Sequence, residues 1–394
     1  MICVQTQHFN LNRTLLLAIG LWPYQKSKLS RLQATLCFGI LTSFVVFQFT
    51  ALITTQCTAD FIIKVFSSAT FFSIYIINYN MFWINTHHVR NLLEELQCIC
   101  NELKNENELA IFNKYGNNAK RCTSVLASFA ICSAFIATLL PIWPQILNTI
   151  LYINESQLQN QTIQFVTEYF VDQQKYFYLI LLHVNAGICI GTITLIATGT
   201  MLLGCIIHAC GLFTIAGYRM EQAMTTKIFE NINLENRSIC EKIFYAVEIH
   251  RKAMKFTDLM LSSFEGSFLL LIAITVICLS LNVFAIFRNA LLGNKEAFIL
   301  HLLFVLVIFL YMFVANYAGQ KVLNYSTHIY SSAYNVRWYD APLHVQKMIL
   351  LILQRSSKTF SLNIAGLFVI SLECFAMLTK ASMSYFTVIY TMQQ

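Results

Sequence analysis

Long stretches without a single Asp, Glu, Lys or Arg dominate this chain of 394 residues. Six stretches are unbroken, and a seventh is interrupted by Glu373 and Lys380. About 20 apolar residues cross a bilayer as a helix, and backbone groups in lipid must form their hydrogen bonds within the segment. The sequence therefore predicts an all-α membrane protein with seven transmembrane helices. The predicted spans lie at about 33–55, 62–84, 124–152, 176–206, 265–287, 297–319 and 362–391.

The overall composition excludes a soluble protein. Hydrophobic residues make up 57% of the chain and charged residues 11%, whereas soluble proteins carry about 25% charged residues. The net charge of +7 does not indicate a nucleic-acid partner, because the basic residues lie in loops beside apolar spans. The partner that the composition predicts is the lipid bilayer.

The basic residues are divided unequally between the two sides. Of the 26 Lys and Arg residues, 21 lie before the first span or in every second connection after it, and four lie in the other connections. Basic residues flank spans on the cytoplasmic side, so we expect a cytoplasmic N-terminus and an extracellular C-terminus. Two N-glycosylation sequons, at Asn154 and Asn160, fall in a connection that this orientation places outside, which makes them candidate glycosylation sites.

The chain divides into a cytoplasmic N-terminal segment, 1–31, and a seven-helix domain, 32–394. The first apolar run, Thr14 to Trp22, is too short to span and ends at Pro23, so we interpret it as a short re-entrant or interfacial helix. Three polar connections, 85–122, 219–262 and 343–358, have apolar residues at helical spacing. They are predicted to pack into a cytoplasmic helical anchor region, or else to lie flat on the bilayer. The helix that begins at 176 is predicted to break near Gly211.

Three segments carry a resemblance to a known family. The last stretch, from Ser357 to Met392, resembles the most widely shared region of the insect odorant receptors. The run from Leu15 to Pro23, LLLAIGLWP, is similar to their N-terminal signature, and EIHRKAMKFTDLM around His250 is similar to the helix that enters their fifth span. The N-terminal sequence looks most like the expanded group of these receptors in ants, bees and wasps.

The resemblance implies an odorant-gated cation channel whose four subunits surround one central pore. It implies a ligand that is a small volatile or apolar odorant, and a co-receptor as partner in a heterotetramer. Because the chain lacks the long cytoplasmic insertion of that co-receptor, it resembles a tuning subunit. The implied location is the plasma membrane of a sensory neuron dendrite. The sequence contains no phosphate loop, metal-spaced His/Cys set or nucleophile elbow, so neither an enzyme nor a cofactor is predicted.

One face of the last span is a candidate pore lining. At 100° per residue, small or mildly polar side chains fall within about 60° of Val388. A ring of valines can close a pore by dewetting, and the resemblance agrees, since the family's gate valine follows a tyrosine by three residues, as Val388 follows Tyr385. An ordinary tight helix interface is the alternative. The candidate pore residues are Val388, Ser384, Thr391, Tyr385 and Met392.

A ligand pocket is predicted from aromatic and polar residues in the outer halves of several spans. An odorant binds mainly through buried apolar surface with few polar groups, and the resemblance implies a pocket among the second to sixth spans. Helix packing is the alternative for each aromatic residue, and a hydrogen-bonded core position is the alternative for His183. The candidates are Phe71, Phe72 and Tyr75 in the second span, Phe135 and Thr138 in the third, His183 in the fourth, and His301 and Phe304 in the sixth.

Three other functions remain as alternatives. Gustatory receptor subunits usually carry Thr-Tyr, five apolar residues and then Gln near the C-terminus. This chain has Ser384-Tyr385, with Thr391 at the expected Gln position, which favours an odorant receptor. A G-protein-coupled receptor requires an external N-terminus, and a transporter is disfavoured because no repeat relates the two halves.

Overall fold

The computed structural model describes residues 4–25, 27–139, 165–224 and 232–393, and nearly all of them are helical. The candidate glycosylation sites Asn154 and Asn160 lie outside the described residues. The only sheet among the described residues is an antiparallel pair, β1 (Asn363–Ile364) and β2 (Phe368–Val369). The helices are α1 (Val4–Gln7), α2 (Asn10–Ala18), α3 (Lys28–Thr54), α4 (Ala59–Ile84), α5 (Thr86–Glu102), α6 (Glu106–Leu139), α7 (Phe177–Met224), α8 (Ile232–Leu292), α9 (Lys295–Ser326), α10 (His328–Asn335), α11 (Leu343–Ser356) and α12 (Leu372–Gln393).

Six of the described helices are long and apolar enough to cross a membrane: α3, α4, α6, α7, α8 and α9. They match the first six predicted spans in order, although α6 is described only to Leu139. The prediction of a mostly helical chain with several apolar spans is thereby confirmed. The 22-residue helix α12 does not reach the same apolar criterion, and both Glu373 and Lys380 lie within it.

Ion pairs mark the two ends of the bundle. Arg288, near the end of α8, pairs with Asp60 at the start of α4. At the opposite end, Arg219 of α7 holds Glu108 of α6 with two hydrogen bonds, Nε to Oε1 at 2.7 Å and a second guanidinium nitrogen to Oε2 at 2.8 Å. Lys252 of α8 pairs there with Glu102 of α5. We call the two ends the Asp60 end and the α5 end.

The helices α7 and α8 are much longer than a bilayer requires. They contain 48 and 61 residues, which corresponds to roughly 72 and 92 Å at 1.5 Å per residue. The predicted break near Gly211 is wrong, because α7 continues through it to Met224. A Cβ added at Gly211 would lie 3.1 Å from the side chain of Tyr115. Glycine permits this close packing of α6 on α7, and the packing outweighs its poor helix propensity, about 1 kcal/mol.

The predicted amphipathic connections form helices at the α5 end. The 85–122 region is helical as predicted, in α5 and the first half of α6, and Leu92, Leu93, Leu96 and Ile99 bury the apolar stripe. The 343–358 region forms α11, with Val345 and Ile349 fully buried. The buried residues of these stripes are covered by protein, which favours packing over helices that lie flat on the bilayer, while Leu350 of α11 is 54% exposed.

The N-terminal segment packs on the bundle. Helix α2 ends at Ala18, and Gly20 turns the chain with a φ of 73°. The hydroxyl of Tyr79 in α4 donates to the carbonyl oxygens of Ile19 and Ala34, both at 2.9 Å, and so ties this turn to α3 and α4. The predicted short helix of this segment therefore ends four residues before Trp22.

The seventh predicted span, 362–391, begins ten residues too early. Residues before Leu372 form the β1–β2 hairpin, whose turn holds Ala365 and Gly366 at φ of 51° and 72°. The backbone N–H of Ala365 donates to Glu265 of α8 at 2.6 Å. The hairpin sequence carries no charge and is mostly apolar, so hydropathy alone could not separate it from the helix that follows. The helix α12 then packs against α8 and α9.

Candidate functional site

Aromatic rings from α4 and α9 meet in the half of the bundle near the Asp60 end. The rings of Phe71 and Phe304 are stacked, with centroids 4.0 Å apart and planes at 16°. Phe72 lies edge-on to Phe71, Tyr75 and Phe165. All five side chains are buried. Four of the predicted ligand residues, Phe71, Phe72, Tyr75 and Phe304, are thus brought together, and Phe165 is an addition that the sequence analysis missed.

A small cavity of about 20 Å³ remains among these rings. That volume holds about one water molecule, so the rings fill most of the space in this conformation. A larger ligand requires the aromatic side chains to move. The lining residues are Phe71, Phe72, Tyr75, Ser133, Ala134, Ala137, Phe165, Ile188, Thr192, Leu303, Phe304 and Val307. We call this space the aromatic cavity.

The two residues predicted from the third span do not line the aromatic cavity. Phe135 is 62% exposed on the opposite side of α6, and the hydroxyl of Thr138 donates to the backbone oxygen of Phe135 at 2.9 Å. The cavity wall is formed instead by Ser133, Ala134 and Ala137. Side chains four residues apart share a helix face, so Ser133 and Ala137 point inwards together while Phe135 points away.

The two predicted histidines brace the helices around the aromatic cavity and do not line it. One ring nitrogen of His183 lies 2.9 Å from the Ser43 hydroxyl, and the other lies 2.8 Å from the Tyr169 hydroxyl. His301 contacts the side-chain oxygen of Asn282 at 2.9 Å, and Asn282 donates to the backbone oxygen of Ser67. The hydrogen-bonded core alternative therefore describes His183 better than ligand contact does.

A second and larger space, of about 200 Å³, lies further toward the α5 end. We call it the chamber. Its walls come from α6, α7, α8, α9, the hairpin and α12, including Leu203, Met260, Phe368 and Leu378. Tyr75, Ser133, Thr192 and Val307 line both the chamber and the aromatic cavity.

The ring of Tyr75 lines both spaces and rests against α7. A Cβ added at Gly191 would come within 1.9 Å of this ring, so only glycine allows it to lie there. Four residues earlier, a Cβ at Gly187 would lie 3.3 Å from Phe44. Small residues four apart permit close approach between membrane helices. The Gly187-x3-Gly191 spacing is thus a signal in the sequence that could have identified this wall.

The helix α12 has one packed face and one exposed face. On the packed face, the hydroxyl of Ser280 in α8 donates to the backbone oxygen of Ser382 at 3.0 Å, and Phe375 contacts the ring of Phe309 in α9. The opposite face is not covered by the described chain, and Val388 is 51% exposed. All five predicted pore residues are exposed: Val388, Ser384, Thr391, Tyr385 and Met392.

The 7tm Odorant receptor family matches residues 58–383, which include α4, the aromatic cavity, the hairpin and most of α12. The chain belongs to the 7tm odorant receptor family. This odorant receptor is also similar to two receptors of Drosophila melanogaster, odorant receptor 49a (27% identical over 77 residues, 20% of this chain) and the putative odorant receptor 69a, isoform B (23% over 164 residues, 42% of this chain).

Part of this odorant receptor resembles the odorant receptor coreceptor of Ooceraea biroi, at 24% identity over 151 residues, 37% of this chain. The matched regions span 19%, 41% and 30% of the three relatives' own lengths. The olfactory receptor OR5 of Machilis hrabei, solved in complex with eugenol, has the same fold, with a TM-score of 0.78 at 17% identity over 97% of both chains. The structure of that receptor without eugenol gives a TM-score of 0.77, at 16% identity over 97% of both chains. These matches point to a receptor rather than an enzyme.

Proposed function

We propose that this odorant receptor is a subunit of a ligand-gated, non-selective cation channel. A small apolar odorant binds in the aromatic cavity, and the exposed face of α12 lines a central pore. The four subunits surround that pore with the α5 end in the cytoplasm and the end of α12 outside. Membership of the 7tm odorant receptor family favours this function over the gustatory receptor and G-protein-coupled receptor alternatives.

The two faces of α12 carry the proposal. Its exposed face contains the hydroxyls of Ser384 and Thr391 next to Val388, while six other described helices are more apolar. Hydroxyl groups and ionisable residues in a membrane helix are stable where they meet water or another subunit. A helix of this kind at a symmetry axis supplies polar groups for a hydrated ion and a hydrophobic ring that stops conduction when it dewets.

The aromatic cavity supports the choice of ligand. Its walls offer ring surfaces and few polar groups, which suits a small apolar molecule held mainly by buried area. The olfactory receptor of the same fold was solved with eugenol, which is a ligand of that kind. Entry of an odorant requires Phe71, Phe72 and Phe304 to separate, and α9 and α8 connect those rings to α12. The movement of these three rings when an odorant binds is thus transmitted through α8 and α9 to the pore-lining helix α12.

The apolar surface at the α5 end supports an oligomer. Tyr330, Tyr334, Leu343 and Leu351 are exposed there, and large exposed apolar surfaces mark contacts with other proteins. We propose that this region anchors a heterotetramer with the odorant co-receptor, in the plasma membrane of a sensory neuron dendrite.

In the proposed arrangement, residues 1–31 form the cytoplasmic segment and residues 32–394 form the seven-helix domain. Asn154 and Asn160 are glycosylated on the extracellular side.

Replacement of the valine on α12 tests the channel. The receptor is expressed in oocytes with the odorant co-receptor, and currents are recorded with an odorant panel before and after Val388→Ala. A smaller, less apolar side chain weakens the dewetted barrier, so the resting current rises and the odorant-evoked fraction falls. Val125→Ala, on the exposed face of α6, is the matched control and leaves both unchanged. An unaltered resting current in Val388→Ala, or odorant signalling without ionic current, contradicts the proposal.

A further inference from the structure

The chamber opens sideways between α6 and α9. These two helices contact each other at few positions. On the α6 side, the lining residue Phe129 is 41% exposed, and on the α9 side Leu310 and Val314 are partly exposed. One turn away along each helix, Val125 is 63% exposed and Leu306 is 51% exposed. The opening is therefore framed by apolar side chains of the kind that face bilayer hydrocarbon.

Three polar side chains in the chamber wall, those of Thr200, Thr275 and Asn316, form hydrogen bonds within the protein. Thr200 accepts from Asn12 at 2.7 Å and donates to the backbone oxygen of Ile196. Thr275 donates to the backbone of its own helix, and so does the amide of Asn316. Since these groups are already paired, the chamber has little to offer a polar ligand. It has an almost continuous apolar lining for a hydrocarbon.

The volume of the chamber is sufficient for an apolar occupant. It measures about 200 Å³, whereas an apolar cavity of about 150 Å³ in another protein stays dry and binds benzene. A dry cavity loses dispersion contacts along its whole lining. Bilayer acyl chains are available at the open side, at the concentration of the membrane itself.

From this geometry we propose that an acyl chain of a bilayer phospholipid enters between α6 and α9 and occupies the chamber. Its terminal segment reaches toward Tyr75, which also lines the aromatic cavity. Along the way it contacts Phe368 of the hairpin and Leu378 of α12. The chamber is thus a lipid site distinct from the proposed odorant site, and the binding claim does not depend on channel activity.

Photolabelling tests this lipid site. The full-length receptor is reconstituted in nanodiscs that contain a phosphatidylcholine with a diazirine near the end of one acyl chain, and labelled residues are mapped by mass spectrometry after irradiation. We expect label on chamber residues such as Leu203 and Phe368. In Gly199→Phe the added ring enters the chamber, where a Cβ meets only Tyr311 at 3.9 Å. We therefore expect the chamber label to fall roughly fivefold or more in Gly199→Phe, because the added ring overpacks the space that the acyl chain would occupy.

The matched control is Gly39→Phe, on an exposed face of α3 where an added Cβ meets nothing within 4 Å. It leaves the chamber label unchanged, and label at Leu182, which is 66% exposed on α7 and does not line the chamber, is equal in all variants. A second filling variant, Ala315→Phe at the opening, is measured alongside Gly199→Phe, so that the comparison stands on either variant if the other does not fold. Equal chamber label in both filling variants and the wild type overturns the proposal. Displacement of the label by saturating eugenol also overturns it, because the chamber then belongs to the odorant site.

Discussion

Tyr75 lies where the two internal spaces of this odorant receptor meet. Its ring lies against Gly191 on one side and against Phe71 and Phe72 on the other. This ring lines both the aromatic cavity and the chamber. Since glycine at 191 is what allows the ring to lie there, a single added carbon should disturb both spaces.

The change Gly191→Ala therefore should lower stability and alter the order in which odorants are preferred. A methyl group 1.9 Å from the Tyr75 ring forces that ring to move, and overpacking of this kind costs about 1–3 kcal/mol. The melting temperature of the purified receptor, followed by size-exclusion fluorescence, measures the first effect. Gly39→Ala adds the same carbon in open space and should be neutral or stabilising. Equal melting temperatures for the two variants would contradict the assigned role of Gly191.

The α6 wall shows what the sequence could not determine about individual residues. The aromatic residues of α4 are predicted from their position on roughly one side of that helix, and Phe304 is predicted from its place in the outer half of the sixth span. On α6, Phe135 was chosen for its aromatic ring, yet it faces away. Nearly every residue in this part of α6 is apolar or small, so the sequence does not fix which face turns inwards. Small residues such as Ser133 and Ala137 leave the space that a ligand needs, whereas an aromatic residue fills it.

A pair of substitutions on α6 distinguishes these two faces. Ser133→Leu adds volume to the wall that both spaces share, and we expect a strong loss of odorant-evoked current at unchanged surface expression. Phe135→Ala removes a larger side chain from the exposed face and should leave the response to the same odorant panel unchanged. A loss of response in Phe135→Ala alone would restore the original prediction for this span.

At the scale of secondary structure, buried charge ties the longest helices together. The guanidinium of Arg219 donates two hydrogen bonds to the carboxylate of the buried Glu108. Such a pair contributes little beyond its own desolvation cost, but removal of one partner leaves a buried charge alone. The pair therefore specifies how α6 lies along α7. The sequence predicted the helices of this region but not the partners, because the two residues are 111 positions apart.

The change Arg219→Ala should destabilise the receptor by about 3 kcal/mol, since it leaves the Glu108 carboxylate buried and unpaired. Arg219→Lys keeps the charge but loses the planar fork, so we expect an intermediate loss. Arg90→Ala breaks the exposed i,i+4 pair with Glu94 and serves as the control, with no measurable change. Thermal melting in detergent compares the three. If Arg219→Ala melted like Arg90→Ala, the pair would have no structural role.

At the scale of the whole molecule, hydropathy located the first six spans and misjudged the last. Each of the six predicted ranges overlaps a long apolar helix, although several of these helices extend well beyond the range, because a helix surrounded by lipid must be apolar on most sides. The seventh segment combines an apolar hairpin with a less apolar helix. Hydropathy registers composition and not backbone conformation, so the boundary at Leu372 could not be found that way. Gly366 was the one local indication of a turn.

The proposed sidedness can be tested on intact cells. An epitope tag at the N-terminus should be accessible to antibody only after the cells are permeabilised, and a tag at the C-terminus should be accessible before. The expectation rests on the excess of Lys and Arg in alternate connections, which are retained in the cytoplasm. A tag in the 295 region, between α8 and α9, provides an external reference. An N-terminal tag that is stained without permeabilisation rules out the orientation.

The unbroken length of α8 constrains how this receptor can change over evolutionary time. Each residue turns an α-helix by about 100°, so one inserted residue near Ile249 would rotate everything after it by that angle. Ser280 would no longer face Ser382, and Asn282 would turn away from His301. Substitutions alter one contact at a time, but an insertion here alters all later contacts at once. Change along α8 should therefore arise by exchange of single side chains, while additions and deletions accumulate in the connections.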